Sequence, residues 1–242
     1  MLRLLIMPVL YLLLISGCGT DTDNTFTQRL TFDFVESSQG WRGEFADLPP
    51  GDNENFELGV DFLPLPESLD TTQNALFISG VNLSDDLFMY FKQQFRGLSP
   101  GQEVKIRYQI RIATNVPQNC IGAGGAPGES VFLKAGTSVI EPKPVLEMEG
   151  DREILRLPVD KGNQSMGGED AIVLGNIANS NDCSDENAEE WELKDLELAE
   201  EDAIQITADE NGRIWFFFGT DSGFEGRTSL YYSRVNVFVE SI

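Results

Sequence analysis

The 242-residue sequence contains no histidine. That absence removes His-dependent catalytic triads, His-ligated zinc and haem sites, and the usual general base near neutral pH. Basic residues are scarce as well: 17 Lys and Arg stand against 40 Asp and Glu, for a formal charge of -23. A chain of this charge is repelled by phosphate backbones and anionic headgroups, which excludes nucleic acid as a natural partner. Cysteine occurs three times, no internal repeat of fixed period is evident, and no Pro/Gly/Ser-rich linker divides the body. Long apolar periodicity at 3.6 residues is missing too; only 195–202 offers a helical turn or two. What remains is 41% hydrophobic residues over a length that can bury a core, so disorder of the bulk is excluded.

The N-terminus has three regions in order. Arg3 precedes an apolar run over 4–15, interrupted by Pro8 and shorter than the roughly 20 residues a bilayer span needs. The stretch Leu14-Ile15-Ser16-Gly17-Cys18 resembles the lipobox of bacterial lipoprotein signal peptides. The resemblance implies cleavage after residue 17 and a diacylated Cys18 at the mature N-terminus. Gly19 stands where an Asp signals inner-membrane retention in Gram-negative lipoproteins, so it implies an outer-membrane destination in such a source. Residues 18–28 then read as the lipidated Cys and a short polar tether. With Cys18 consumed, Cys120 and Cys183 are an even pair in an oxidising compartment, and a disulfide closing a loop of about 63 residues is expected.

From residue 29 to 242 the pattern reads as one all-β domain. Val104, Ile106, Tyr108, Ile110 and Ile112 alternate with Lys105, Arg107, Gln109 and Arg111, one face to a core and one to water. A turn at 97–101 separates this run from another over 87–95, which suggests an antiparallel pair. Lys105, Arg107 and Arg111 form a basic stripe expected to pair with carboxylates of a neighbouring strand. Further strands are expected at 30–35, 75–79, 130–134, 154–159, 171–174, 190–193, 203–207, 213–218 and 229–239, with turn residues spaced as in a β-sandwich. The Phe-rich first strand followed by Gly40-Trp41, the turn leading into VKIRYQIRI, and the terminal LYYSRVNVFVE together resemble the jelly-roll sandwiches of galactose-binding-like domains and carbohydrate-binding modules. In those families an acidic calcium ligand often precedes the Val of the last strand; here the place reads Ser233-Arg234, a departure.

Several segments carry candidate chemistry. The run 212–219 is apolar on both faces, with Trp215 and Phe217 opposite Ile214, Phe216 and Phe218. Either it is a central strand covered on both sides, the plainer reading, or Trp215 and Phe217 present flat rings to a sugar. The loop after it holds Asp221, Ser222 and Glu225, suited to sugar hydroxyls or a cation, and Asp160, Asn163 and Gln164 form a second polar loop. The glycine-rich 122–129 lacks the GK[ST] ending of a phosphate loop. Asp182, Asp185, Glu186 and Asn187 offer oxygens of the kind calcium prefers, without matching an EF-hand, so calcium stands as possible and no cofactor is assigned. Glu192, Asp195 and Glu197 lie beside Trp191, but their spacing differs from the acids of sandwich glycosidases. The expected function is a lipid-anchored extracytoplasmic sandwich that binds glycan without transforming it. Two other readings stay open: a carboxylate-dependent polysaccharide hydrolase, and an envelope protein whose partner is another protein.

Overall fold

The structure, a computed structural model, describes residues 27–83 and 86–242. The signal segment and Cys18 lie outside the described residues. Those described form fourteen β-strands and one short 3₁₀ turn at Glu200–Asp202. Seven strands make one antiparallel sheet. Its centre is β6 (Glu103–Thr114) beside β14 (Arg227–Ser241). On the far side of β14 lie β1 (Thr27–Asp33) and β4 (Asn74–Val81), with β3 (Gly59–Pro64) next to β4; β11 (Glu192–Glu197) and β12 (Ile204–Thr207) share the other edge of β6. The second sheet runs β10 (Ala171–Asn176), β7 (Val131–Ser138), β13 (Arg213–Ser222), β5 (Phe88–Arg96), β2 (Arg42–Ala46). A hairpin of β8 (Val145–Glu149) and β9 (Arg152–Arg156) stands apart from both.

The two sheets close on a shared core, and the fold is an antiparallel β-sandwich. Val104, Ile106, Tyr108, Ile110 and Ile112 of β6 bury one face of the first sheet against Ile214, Phe216 and Phe218 of β13. Phe216 stacks on Phe95 and meets Tyr108 edge-on, while Phe218 packs against Trp41, Phe91 and Tyr232. The long terminal strand keeps its inner face only by changing parity. Leu230 and Tyr232 point inward, then Val235, Val237 and Val239, and the register against β6 shifts between Tyr232 and Arg234. Ser233 is thus the extra residue of a bulge, which lets one strand serve the core along its whole length.

One sequence expectation on pairing is overturned. The runs before and after the 97–101 turn do not pair; β5 lies in the five-stranded sheet and β6 in the seven-stranded one. Alternation reports which face a residue takes, and both strands bury a face in the same core from opposite sheets, so the turn crosses between layers. The segment 195–202 begins with the last three residues of strand β11 and ends in the three-residue 3₁₀ turn, its one helical turn. The basic stripe pairs as expected for two of its members: Arg107 with Glu240 at 3.2 Å and Arg111 with Asp195 at 2.8 Å. Cys120 and Cys183 are disulfide-bonded and tie the loop after β6 to the loop before β11.

The outer face of the five-stranded sheet positions everything that follows. Register across β5, β13 and β7 places three rows on it: Gln94, Trp215 and Ser138; then Lys92, Phe217 and Gly136; then Tyr90, Gly219 and Lys134. The chain after β7 folds back over much of this face, and Leu157 and Val159 pack there on Phe88, Tyr90 and Phe217. The Phe217 ring lies over Gly136, where any Cβ would come within 2.3 Å of it.

Candidate functional site

The covering segment buries charge as well as aromatic rings. Asp221, near the end of β13, and Lys134, on β7, have no exposed side-chain surface. Asp221 Oδ2 accepts from Lys134 Nζ at 2.7 Å, from Lys161 Nζ at 2.8 Å and from the Gln164 backbone N–H at 3.0 Å. Lys134 Nζ donates two further bonds of 2.9 Å to the carbonyls of Lys161 and Met166, so all three of its protons have acceptors. Burial draws the Lys134 pKa down, against the pull of Asp221. Burial acts on Lys161 in the same direction, but Asp221, Asp47 and Asp86 together hold its pKa above the ordinary lysine value.

Lys161 links this buried knot to a cleft. Asp47, just after β2, holds a left-handed backbone at φ 63°, a conformation Asp tolerates better than most residues. Its Oδ2 lies 3.0 Å from Lys161 Nζ and its Oδ1 2.7 Å from Arg156 Nη1. The same Arg156 nitrogen reaches Asp86 Oδ2 at 2.8 Å, and Arg156 Nη2 reaches Glu149 at 2.7 Å. Around these groups opens a cleft of about 810 Å³ between the loop after β2, the approach to β5, the β8–β9 hairpin and the 160–164 loop. Asp52, Asn55, Arg152, Asn163 and Gln164 supply its polar wall, and Pro49, Phe56, Leu83 and Ile154 its apolar one. A side lobe of about 220 Å³ continues along Val159, Asp160 and Gly162.

Asp86 is the titratable group of this cleft. Burial raises its pKa to about 6, and the charges of Asp47 and Asp221 push the same way, against Lys161 and Arg156. Its Oδ1 accepts no hydrogen bond among the described residues and lies 4.0 Å from Lys161 Nζ. Near neutral pH this carboxyl can therefore donate or accept. Asp47 is paired on both oxygens, with Arg156 and Lys161. The acids on β11 do not line the cleft. Period two sets Asp195 and Glu197 on one face and Glu192 on the other; Glu192 accepts from Ser180, Asp195 is paired to Arg111, and Glu197 accepts from Gln109.

The residues singled out from sequence divide into three groups. Asn163 and Gln164 line the cleft, and Asp221 holds the Gln164 backbone from beneath. Four are engaged within the fold and not in the cleft; for Phe217 this is the plainer of the two readings of 212–219, and for the other three it corrects the expected ligand contact. Phe217 is fully buried because β13 is central in its sheet and its outer face is covered. Asp221 is sealed between two lysines, and the Ser222 hydroxyl donates to the Phe224 carbonyl at 2.9 Å. Asp160 borders the side lobe, yet its oxygens accept the backbone N–H groups of Gly162 and Glu169, each at 3.0 Å, which shapes the loop and lowers its pKa. The last two, Trp215 and Glu225, lie away from the cleft. Glu225 is exposed on a loop whose backbone bonds to Ala123. Trp215 is nine-tenths buried, with guanidinium and ammonium groups of Arg42 and Lys92 about its ring at 6.0 and 5.8 Å, so it is no open sugar platform. Sequence reasoning missed Asp47, Asp86 and Arg156, which sit in turn-rich or exposed segments without a motif. Near Cys183, Asp182 accepts from Ser184 and Asn119, and among the described residues no group of three or more acidic, Cys or His side chains is arranged to hold a metal ion.

No family model matches the chain, and no curated protein matches it. Among solved structures it is similar to the CBM22-1 xylan-binding domain of a Paenibacillus barcinonensis protein at 9% identity and TM-score 0.40, over 88% of this chain and 94% of that one. It is also similar to the mannan-recognising carbohydrate-binding module TmCBM27, at 10% identity and TM-score 0.37, over 89% and 98% of the two chains. A cleaved adhesin domain of Lys-gingipain from Porphyromonas gingivalis gives 10% identity and TM-score 0.37 over 87% and 97%.

Proposed function

We propose that this protein is an exported, lipid-anchored β-sandwich that binds a glycan without transforming it. The cleft between the β8–β9 hairpin and the 160–164 loop is the observation that carries the binding reading. A sugar hydroxyl donates and accepts at once, and the planar amides, carboxyls and guanidinia of Asn163, Gln164, Asp86, Asp52 and Arg152 match that double demand. The C–H face of a ring is served by Phe56, Leu83 and Ile154, and about 810 Å³ holds a short oligosaccharide segment. The lipid anchor rests on the lipobox-like Leu14 to Cys18, and export also on the disulfide, a bond of oxidising compartments.

Calorimetric titration and thermal melts of the protein against neutral xylo-, manno-, gluco- and galacto-oligosaccharides test the binding. One class should release heat and raise the melting midpoint, and Asn163→Ala and Arg152→Ala should each weaken it. A panel giving neither heat nor shift overturns the reading. Cys18→Ser should abolish incorporation of labelled palmitate and free the protein from membranes; unchanged labelling refutes the anchor.

A further inference from the structure

At the end of the same sheet face that the covering segment leaves open, three arginines converge. Arg42 on β2, Arg96 at the end of β5 and Arg213 at the start of β13 line an open groove of about 470 Å³ whose floor is Trp215, with Gln93 and Gln94 beside it. Register explains the convergence: Arg213 lies directly opposite Arg96, and Trp215 opposite Gln94, so their side chains rise from neighbouring positions about 6.8 Å apart along the strands. The turn closing one end is fixed by Gln93 Nε2, which donates to the Gln39 carbonyl at 2.7 Å, and by Gly40 at φ +86°. The groove is distinct from the cleft. Arg213 and Asp221 are eight residues apart on β13, on the order of 26 Å.

The charge count at this end is unusual for so acidic a chain. Arg42 shares Glu141 with Lys92, at 3.6 and 2.9 Å, and Lys92 also holds Glu44 at 2.9 Å. Arg213 pairs with Asp209 at 2.9 Å. Arg96 pairs with no carboxylate among the described residues; its Nε donates to Gln94 Oε1 at 2.6 Å, which orients the guanidinium and leaves its terminal nitrogens to the groove. Four cations therefore face three anions, and the surplus is one positive charge. Arg42 Cζ lies over the Trp215 ring at 6.0 Å from its centroid, at the outer reach of a cation–π contact. One surplus guanidinium, two more beside it and the Gln94 amide suit one anionic group on a polar ligand. A polyanion would meet the field of the whole chain at -23.

We propose that this groove binds a saccharide residue bearing a single anionic group, a carboxylate or a sulfate ester, with Arg96 as the principal contact and Arg42 and Arg213 flanking it. The anionic group follows from the arginines; the saccharide carrier rests on the glycan-binding reading above. Titration of the protein with a galacto-oligosaccharide ending in one galacturonate, with its methyl ester and with a galacto-oligosaccharide bearing one sulfate ester tests the proposal. One of the two anionic probes should bind, the neutral ester about tenfold more weakly or worse, and added salt should weaken binding further. Arg96→Ala should reduce affinity about tenfold, Arg96→Lys less, because the point charge survives without the planar fork. Arg152→Ala, in the cleft, should leave this binding intact while weakening that of a neutral glycan. Binding of the carboxylate but not the sulfate probe, or the reverse, identifies the group. Equal binding of acid and ester, insensitivity to Arg96→Ala, or no binding of either anion overturns the groove whatever the neutral panel shows; a silent neutral panel with Arg96-dependent anion binding overturns only the cleft.

Discussion

The carboxylate of Asp221 and the ammonium of Lys134 meet at 2.7 Å across adjacent strands of the five-stranded sheet, both without solvent exposure. Lys161 completes a triad in which one carboxylate oxygen serves two cations. Removing the anion leaves two buried or nearly buried ammonium groups with only carbonyls and other carboxylates around them. Asp221→Asn should cost about 3–5 kcal/mol in urea unfolding. Replacing Asp221 and Lys134 together by Leu and Met should cost less than the sum of the two single changes, since Lys134 is no longer left charged and unpaired and Lys161 keeps Asp47. Additivity of the two would show that the pair does not interact.

Phe217 packs on Phe88, Tyr90, Leu157 and Val159 beneath the covering segment. Phe217→Ala should therefore destabilise the fold by about 3–5 kcal/mol through lost burial and the cavity it leaves. The affinity of the variant for any glycan, measured below its melting point, should stay within about twofold of the parent. A selective loss of affinity with unchanged stability would restore Phe217 as a ligand platform.

The contrast between Phe216 and Phe217 shows where the sequence stops being informative. Alternation separates the two faces of 212–219 correctly, and the run of five aromatic and aliphatic residues fits a central strand. It does not say what covers the outer face, because the cover comes from 139–166, where β8 is exposed at all five positions and has no amphipathic pattern to read. Strands β2 and β3 also escape the pattern: both are short, Gly43 interrupts β2, and no position of β3 is fully buried. The parity change at Ser233 hides in a stretch of aromatics. Of the site, the 160–164 loop was visible as a cluster of donors and acceptors. Asp47, Asp86 and Arg156 were not, since each is brought to the cleft by a different long-range contact.

Asp86 makes the stability depend on pH in the direction opposite to a carboxylate whose pKa is depressed. Its pKa is raised from 3.8 to about 6 in the folded protein, chiefly by burial. Between these values the folded state binds more protons than the unfolded one, so this group favours folding as pH falls from about 6 toward 4 and opposes it above about 6. Asp86→Asn removes the ionisation. Its stability relative to the parent should be greatest at pH 8, shrink on acidification through 6, and be smallest near pH 4, read from urea midpoints at each pH. A difference that does not change over that range would show that Asp86 titrates normally.

The Cys120–Cys183 bond joins two loops that otherwise hold each other through a few polar contacts: the Gln118 N–H to the Asn181 carbonyl at 2.9 Å, the Cys183 N–H to the Gln118 carbonyl at 2.9 Å, and Asn119 to Asp182 at 2.6 Å. Both loops are polar, and Cys183 itself is exposed, so burial contributes little to their docking. The bond closes a loop across a sequence separation of 63, for which restriction of the unfolded chain is worth about 4 kcal/mol. Cys120→Ser with Cys183→Ser should lower the unfolding free energy by about that amount, with a larger m-value because the unfolded chain expands. The sheets do not depend on the bridge for their core, so far-UV circular dichroism at low temperature should keep its β signature. Loss of that signature in the double variant would show that the two loops organise the fold instead of being fastened to it.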